Sequence, residues 1–261
     1  IDVRPGSPTY ARVVSTLPVG ARATIPHHTE HQLELDHQLF ANGFKAGRTF
    51  RFDLTQPDQP RLLGSFTELG EFSYPHSFVQ MPGGHLLATF QGRGPDNIPP
   101  GGLVELDREG RFIRATSARS ESFDSLQMRP YSLAVLPDID RVVSTSTDML
   151  ADYGAHLQIW RLSDLSLLQT IELPTTSDSD GHSHEAPAKS KGEDHHLFPG
   201  EPRALADGRT VLLATFTCGF YRVTGIDGPS PRVEFLRAFG GENCAVPVLV
   251  GSLWLQTVPD E

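Results

Sequence analysis

An adjacent histidine pair, His27-His28, and a third histidine in Tyr74-Pro75-His76-Ser77 stand just ahead of short apolar runs. Imidazoles that converge with open positions make a transition-metal site, and imidazole suits copper, iron and zinc. His28 and His76 read as similarly placed residues of two successive units. His27 reads either as a ligand or as a turn residue. Cys218 and Cys244 would add thiolate, which favours Cu(I) and zinc. The same two side chains could instead pair as a disulfide or pack as small buried hydrophobes. Two carboxylates, Glu201 in Pro199-Gly200-Glu201-Pro202 and Asp148, are placed to accept a proton. Glu201 and Arg129 could equally form a structural ion pair. Other chemistries lack their signatures. There is no Gly-x-Ser-x-Gly elbow, no Gly-x-x-x-x-Gly-Lys phosphate loop and no His-Glu-x-x-His helix.

These residues can meet only if a scaffold gathers positions far apart in the chain. The sequence repeats one pattern: a polar cluster with His or Pro, a short apolar strand, a Gly or Asp turn, then further strands rich in Val, Leu, Thr and aromatics. Strands are expected at 38–41, 48–53 and 61–64; at 77–79, 85–90, 102–106 and 112–115; at 131–136, 141–145, 156–160 and 167–171; and at 203–205, 210–215, 219–223 and 233–236, with a fifth unit beginning at 245–250. Four strands in units of roughly 40 to 55 residues mark an all-β, β-propeller fold of four-stranded blades. A β-sandwich would not explain the repeated four-strand order. In a propeller the first strand of each blade lines the central channel. His27, His28, His76, Arg129, Glu201 and Cys244 then lie at the entries to first strands, and Asn42, Gln91, Asp148 and Cys218 lie on second-to-third loops of the same face.

Residues 1–261 read as a single, partial propeller domain whose two ends look trimmed. The polar stretch at 175–196, with His182, His184, His195 and His196, cannot bury a core and is expected to be a disordered insertion between the third and fourth blades. The 32 acidic residues outnumber the 22 basic ones, which argues against a nucleic-acid partner. No apolar run is long enough for a membrane span. Two cysteines exclude a disulfide scaffold and a four-cysteine zinc site.

The chain resembles the selenium-binding protein (methanethiol oxidase) family of β-propellers. The likeness rests on Asp2-Val3 to Ser7-Pro8 with Tyr10, on His27-His28, on His76-Ser77 with Gly92, on Gly101-Gly102 and Leu106-Asp107, and above all on residues 153–160, Tyr-Gly-Ala-His-Leu-Gln-Ile-Trp, with Leu168-Gln169-Thr170. The resemblance implies a seven-bladed propeller, of which about four and a half blades would be present here. It also implies a copper-dependent oxidase that converts methanethiol, O2 and water to formaldehyde, hydrogen sulfide and hydrogen peroxide. By position it makes His28 and His76 metal ligands, with His27 beside them. Two departures are visible. No cysteine lies between Glu30 and Phe52, where eukaryotic members carry a selenium-associated cluster. The fourth first strand reads Arg203-Ala204-Leu205 where a further family histidine is expected.

The expected function is therefore copper-dependent oxidation of a small thiol. Cys218 or Cys244 could replace the absent histidine, and Glu201 or Asp148 could take the proton. The rival is a non-catalytic propeller that binds a selenium or metal species or a partner protein on the same face. A closed five-bladed propeller with carbohydrate-directed activity is a third alternative. A thiol-oxidising copper site favours the periplasm, although two cysteines permit either compartment.

Overall fold

The computed structural model describes residues 1–19, 26–29, 37–43, 47–123, 127–147, 154–174, 197–238, 248–250 and 253–255; at 26–29, 248–250 and 253–255 it describes the backbone alone. The polar stretch at 175–196, with its four histidines, lies outside the described residues.

Four antiparallel sheets follow one another along the chain. The first contains β1 (Pro26–Thr29), β2 (Gln38–Gly43), β3 (Arg48–Asp53) and β4 (Arg61–Phe66). The second contains β5 (Glu68–Leu69), β6 (Phe72–Gln80), β7 (Leu86–Arg93), β8 (Gly102–Leu106) and β9 (Phe112–Ser117). The third contains β10 (Pro130–Leu136), β11 (Arg141–Ser146), β12 (His156–Arg161) and β13 (Leu167–Glu172). The fourth contains β14 (Pro199–Ala204), β15 (Val211–Thr215), β16 (Gly219–Thr224) and β17 (Arg232–Ala238). A two-stranded sheet of β18 (Val248–Val250) and β19 (Leu253–Leu255) follows. Each sheet is a simple meander, and the only described helices are 3-10 turns at Glu121–Phe123 and Pro137–Ile139. The strand β5 extends the second meander by a short hairpin that the alternation pattern did not signal.

The strands β1, β6, β10 and β14 contact one another in that order. They form the inner wall, with the other strands radiating outward. Three hydrophobic clusters fill the wedges between successive sheets. Phe40, Phe72, Phe78, Phe90 and Val104 join the first and second. Leu87, Leu103, Leu133, Val142 and Trp160 join the second and third. Ala134, Val143, Leu157, Leu213 and Tyr221 join the third and fourth. Neighbouring residues go to opposite wedges: Val142 faces one core and Val143 the next. That division follows from the period of two along a strand, and it explains why central strands are apolar on both faces. Trp160 is fully buried and donates its indole N–H to Ser144 Oγ at 2.8 Å, so its burial leaves no polar group stranded. The outermost strand β4 is exposed along most of its length.

The same irregularity recurs in all four inner strands. Pro26 pairs with Gly43 and Thr29 with Ala41; Pro75 pairs with Phe90 and Phe78 with Ala88; Pro130 pairs with Ser146 and Leu133 with Ser144; Pro199 pairs with Thr215 and Pro202 with Leu213. In each case two inner residues oppose one residue of the second strand, which is a β-bulge. A proline opens every one of them. Proline donates no ladder hydrogen bond, so a bulge is where a sheet tolerates it. The bulged pairs are His27-His28, His76-Ser77, Tyr131-Ser132 and Gly200-Glu201.

Candidate functional site

The bulges correct two sequence expectations. His76 and Glu201 lie within inner strands, not on the loops ahead of them. The register also makes His27 the equivalent of His76, Tyr131 and Gly200, whereas His28 is the equivalent of Ser77, Ser132 and Glu201. The side chains of His27 and His28 lie outside the described residues. Their strand β1 packs directly against β6, which carries His76.

Single polar residues opposite the bulges tie blade to blade. Asn42 Nδ2 donates to the His76 carbonyl at 2.8 Å. Thr89 Oγ1 donates to the Tyr131 carbonyl at 2.8 Å. Thr145 Oγ1 donates to the Gly200 carbonyl at 2.8 Å. Each second strand thus holds the bulge of the next blade. Within their own blades, Thr89 and Thr145 also accept from the bulge N–H of Ser77 and Ser132 at 3.0 and 3.2 Å. At the corresponding place in the fourth blade stands Ala214, and the hydroxyl is absent.

His76 is fully buried. Its Nδ1 lies 2.6 Å from the Tyr131 carbonyl oxygen. A carbonyl can only accept, so Nδ1 carries the proton, and in the neutral ring Nε2 carries the lone pair. The Tyr131 ring lies against the imidazole, with centroids 3.9 Å apart. Burial, and secondarily the Glu201 carboxylate, push the Tyr131 phenol well above its ordinary value, so it stays protonated. Glu201 is also buried. It accepts from Ser132 Oγ at 2.6 Å and pairs with Arg203 at 3.0 Å. Among the described residues the cation paired with Glu201 is Arg203. Arg129 donates to the carbonyls of Gln91 and Asn97.

Cys218, in a left-handed turn between β15 and β16, is disulfide-bonded. A disulfide sulfur offers no thiolate, so Cys218 leaves the ligand set. The chain's other cysteine, Cys244, and the carboxylate Asp148 lie outside the described residues. Among the described residues no cluster of three or more His, Cys, Asp or Glu side chains could hold a metal. The donor chemistry at His76 nonetheless fits one: ligating histidines commonly donate their other ring N–H to a carbonyl, which fixes the tautomer and the ring. Sequence reasoning missed Tyr131, Ser132 and Thr89. The proline repeated ahead of each bulge was the signal that would have aligned them.

His156 begins β12 within the Tyr-Gly-Ala-His stretch. It is buried, the Phe123 ring meets it edge-on at 5.0 Å, and Nε2 has no hydrogen-bond partner. Burial lowers its pKa from the ordinary 6.5, opposed in part by Glu172. The unfolded chain then binds the proton more readily than the folded one. Stability contributed by the neutral ring is present above about pH 6.5 and is lost as pH falls through that value towards the folded pKa. His156→Gln is expected to flatten this slope, which is bounded at about 1.4 kcal/mol per pH unit for one group. Urea midpoints at stepped pH between about 5 and 7 check it; parallel curves for the two proteins would refute the assignment.

No family model matches the chain. A methanethiol oxidase of a Hyphomicrobium species is 33% identical over 90 residues, which span 33% of this chain and 20% of that relative. The methanethiol oxidase of Ruegeria pomeroyi is 29% identical over 119 residues, 43% of this chain and 26% of the relative. The X-ray structure of a hypothetical selenium-binding protein from Sulfolobus tokodaii superposes with a TM-score of 0.68 at 14% identity, covering 94% of this chain and 56% of that one. The matched segments thus span between a fifth and just over half of these proteins. Radiating four-stranded meanders around adjacent inner strands define the chain as a β-propeller. Over part of its length it is similar in sequence to curated methanethiol oxidases, and it shares its fold with a selenium-binding protein. Among the described residues no helix is long and apolar enough to cross a membrane.

Proposed function

We propose that the chain oxidises a small thiol, with copper held by His76 and the histidine pair of β1. The observation that carries this reading is the His76 Nδ1–H bond to the Tyr131 carbonyl, because it presents Nε2 as a ligand nitrogen. Copper bound there would supply a soft Lewis acid for thiolate sulfur and an electron relay to O2. The protein's own groups do the rest. The bulges bring His76 and β1 to one wall. The Tyr131 ring shields the imidazole from water. Glu201, ionised beside Arg203, serves as proton acceptor, with Asp148 the alternative.

A disulfide at Cys218 fits an oxidising compartment such as the periplasm. Elemental analysis, followed by peroxide detection during methanethiol consumption under O2, tests the reading. About one copper per chain and oxygen-dependent peroxide are expected for a single-site oxidase. Protein that takes up no copper on reconstitution would overturn it. The non-catalytic alternative draws on Arg203 standing where a further histidine is expected and on the disulfide at Cys218. Copper uptake without peroxide would select it.

A further inference from the structure

We infer that Thr89 is a positioning residue for His76, and that its hydroxyl sets which imidazole nitrogen the site presents. This rests on the reading of His76 as a metal ligand. One oxygen, Thr89 Oγ1, accepts from the Ser77 N–H at 3.0 Å and donates to the Tyr131 carbonyl at 2.8 Å. The first group is the amide adjoining His76. The second is the acceptor of His76 Nδ1–H at 2.6 Å. A single buried hydroxyl therefore spans the gap between the backbone that carries the imidazole and the carbonyl that orients it. Asn42 holds the His76 carbonyl from the other side at 2.8 Å. With both anchors in place the ring cannot turn without breaking a buried hydrogen bond. Valine at position 89 would keep the shape, take from the Ser77 N–H its Thr89 acceptor, and release the Tyr131 carbonyl from one of its donors.

Thr145 makes the same pair of bonds one blade on, to Ser132 N–H and the Gly200 carbonyl, and because Ser132 N–H shares a peptide plane with the Tyr131 carbonyl, Thr145 is a further anchor of the acceptor and not a bystander. Thr215, whose buried hydroxyl accepts from Gly219 N–H at 2.8 Å in the fourth blade, touches neither the Tyr131 nor the Ser77 peptide, and Thr215→Val is the control for the purely structural cost of losing such a hydroxyl. Long-range proton–nitrogen spectra of histidine-labelled, metal-free protein report the tautomer of His76 directly, with His76→Gln assigning the signal. Wild type is expected to carry the proton on Nδ1. T89V should populate the Nε2–H form and bind copper(I), in anaerobic competition titrations, about 10- to 100-fold more weakly. T89S should restore both properties, and T215V should alter neither. Wild-type His76 protonated on Nε2 would overturn the inference without any variant. So would T89V with unchanged tautomer or unchanged copper(I) affinity. Wild type that binds no copper(I) would instead overturn the oxidase reading, while the tautomer measurement would still decide the role of Thr89.

Discussion

Arg203→Met is expected to lower stability by about 3–5 kcal/mol. Glu201 is buried on an inner-strand bulge, and the Arg203 guanidinium, mostly buried itself, lies 3.0 Å from its Oε2. Ser132 donates a second, neutral bond to the same oxygen at 2.6 Å. Removing the guanidinium takes a cation away from a carboxylate in a poorly solvated place. The loss is therefore mainly the cost of a buried carboxylate deprived of this cation and not the worth of the pair. Adding Glu201→Gln to Arg203→Met should recover most of the loss, because the amide can still accept from Ser132 without carrying charge. Urea unfolding of the two single variants and the double variant checks this. An Arg203→Met variant with the wild-type midpoint would mean that Arg203 is not what balances Glu201. The same cycle bears on mechanism: thiol oxidation should fall in Glu201→Gln even where stability is retained, if that carboxylate takes the proton.

Much of the scaffold was legible because alternation and turns agree. In the third blade the expected strands at 131–136, 141–145, 156–160 and 167–171 differ from the observed ones by a residue or less at each end. Apolar residues there divide between two cores, and Asp140 closes its turn in the left-handed region that aspartate tolerates. The inner strands β6 and β14 start earlier than the sequence suggests. Pro75, Pro199 and Pro202 look like breakers to any local reading, because the pattern that accommodates them is a bulge in a pairing that sequence does not display. That one difference displaces the candidate residues. His76 and Glu201 are expected on loops, and His28 is matched to His76 where the register matches His27. The group that orients His76 was illegible for a deeper reason. It is a main-chain carbonyl 55 residues away in the next blade, and a carbonyl leaves no mark on residue type. Arg203 stands out in the sequence only as a missing histidine, while its partnership with Glu201 needs the strand geometry that turns both side chains to the same place.

His76→Ala is expected to weaken copper binding by about 100-fold or more, beyond the 10- to 100-fold typical of outer partners, because under the proposed function it removes a ligand nitrogen outright. Elemental analysis after equilibration with a copper(I) competitor measures it. Two companion variants separate the ways in which the neighbourhood acts. Tyr131→Phe keeps the main-chain carbonyl that accepts from Nδ1 and keeps a ring against the imidazole. It should therefore bind copper as wild type does, and any change in thiol turnover would belong to the phenol, which burial and the Glu201 charge keep protonated. His76→Gln retains a side chain able to donate to the same carbonyl but offers an amide where the imidazole offered Nε2, so it should lose copper while folding normally. The order of affinities expected is wild type equal to Tyr131→Phe, with both histidine variants far below. If His76→Ala keeps its copper, the metal lies elsewhere, and the inner-wall histidine is a packed core residue whose tautomer serves the fold alone.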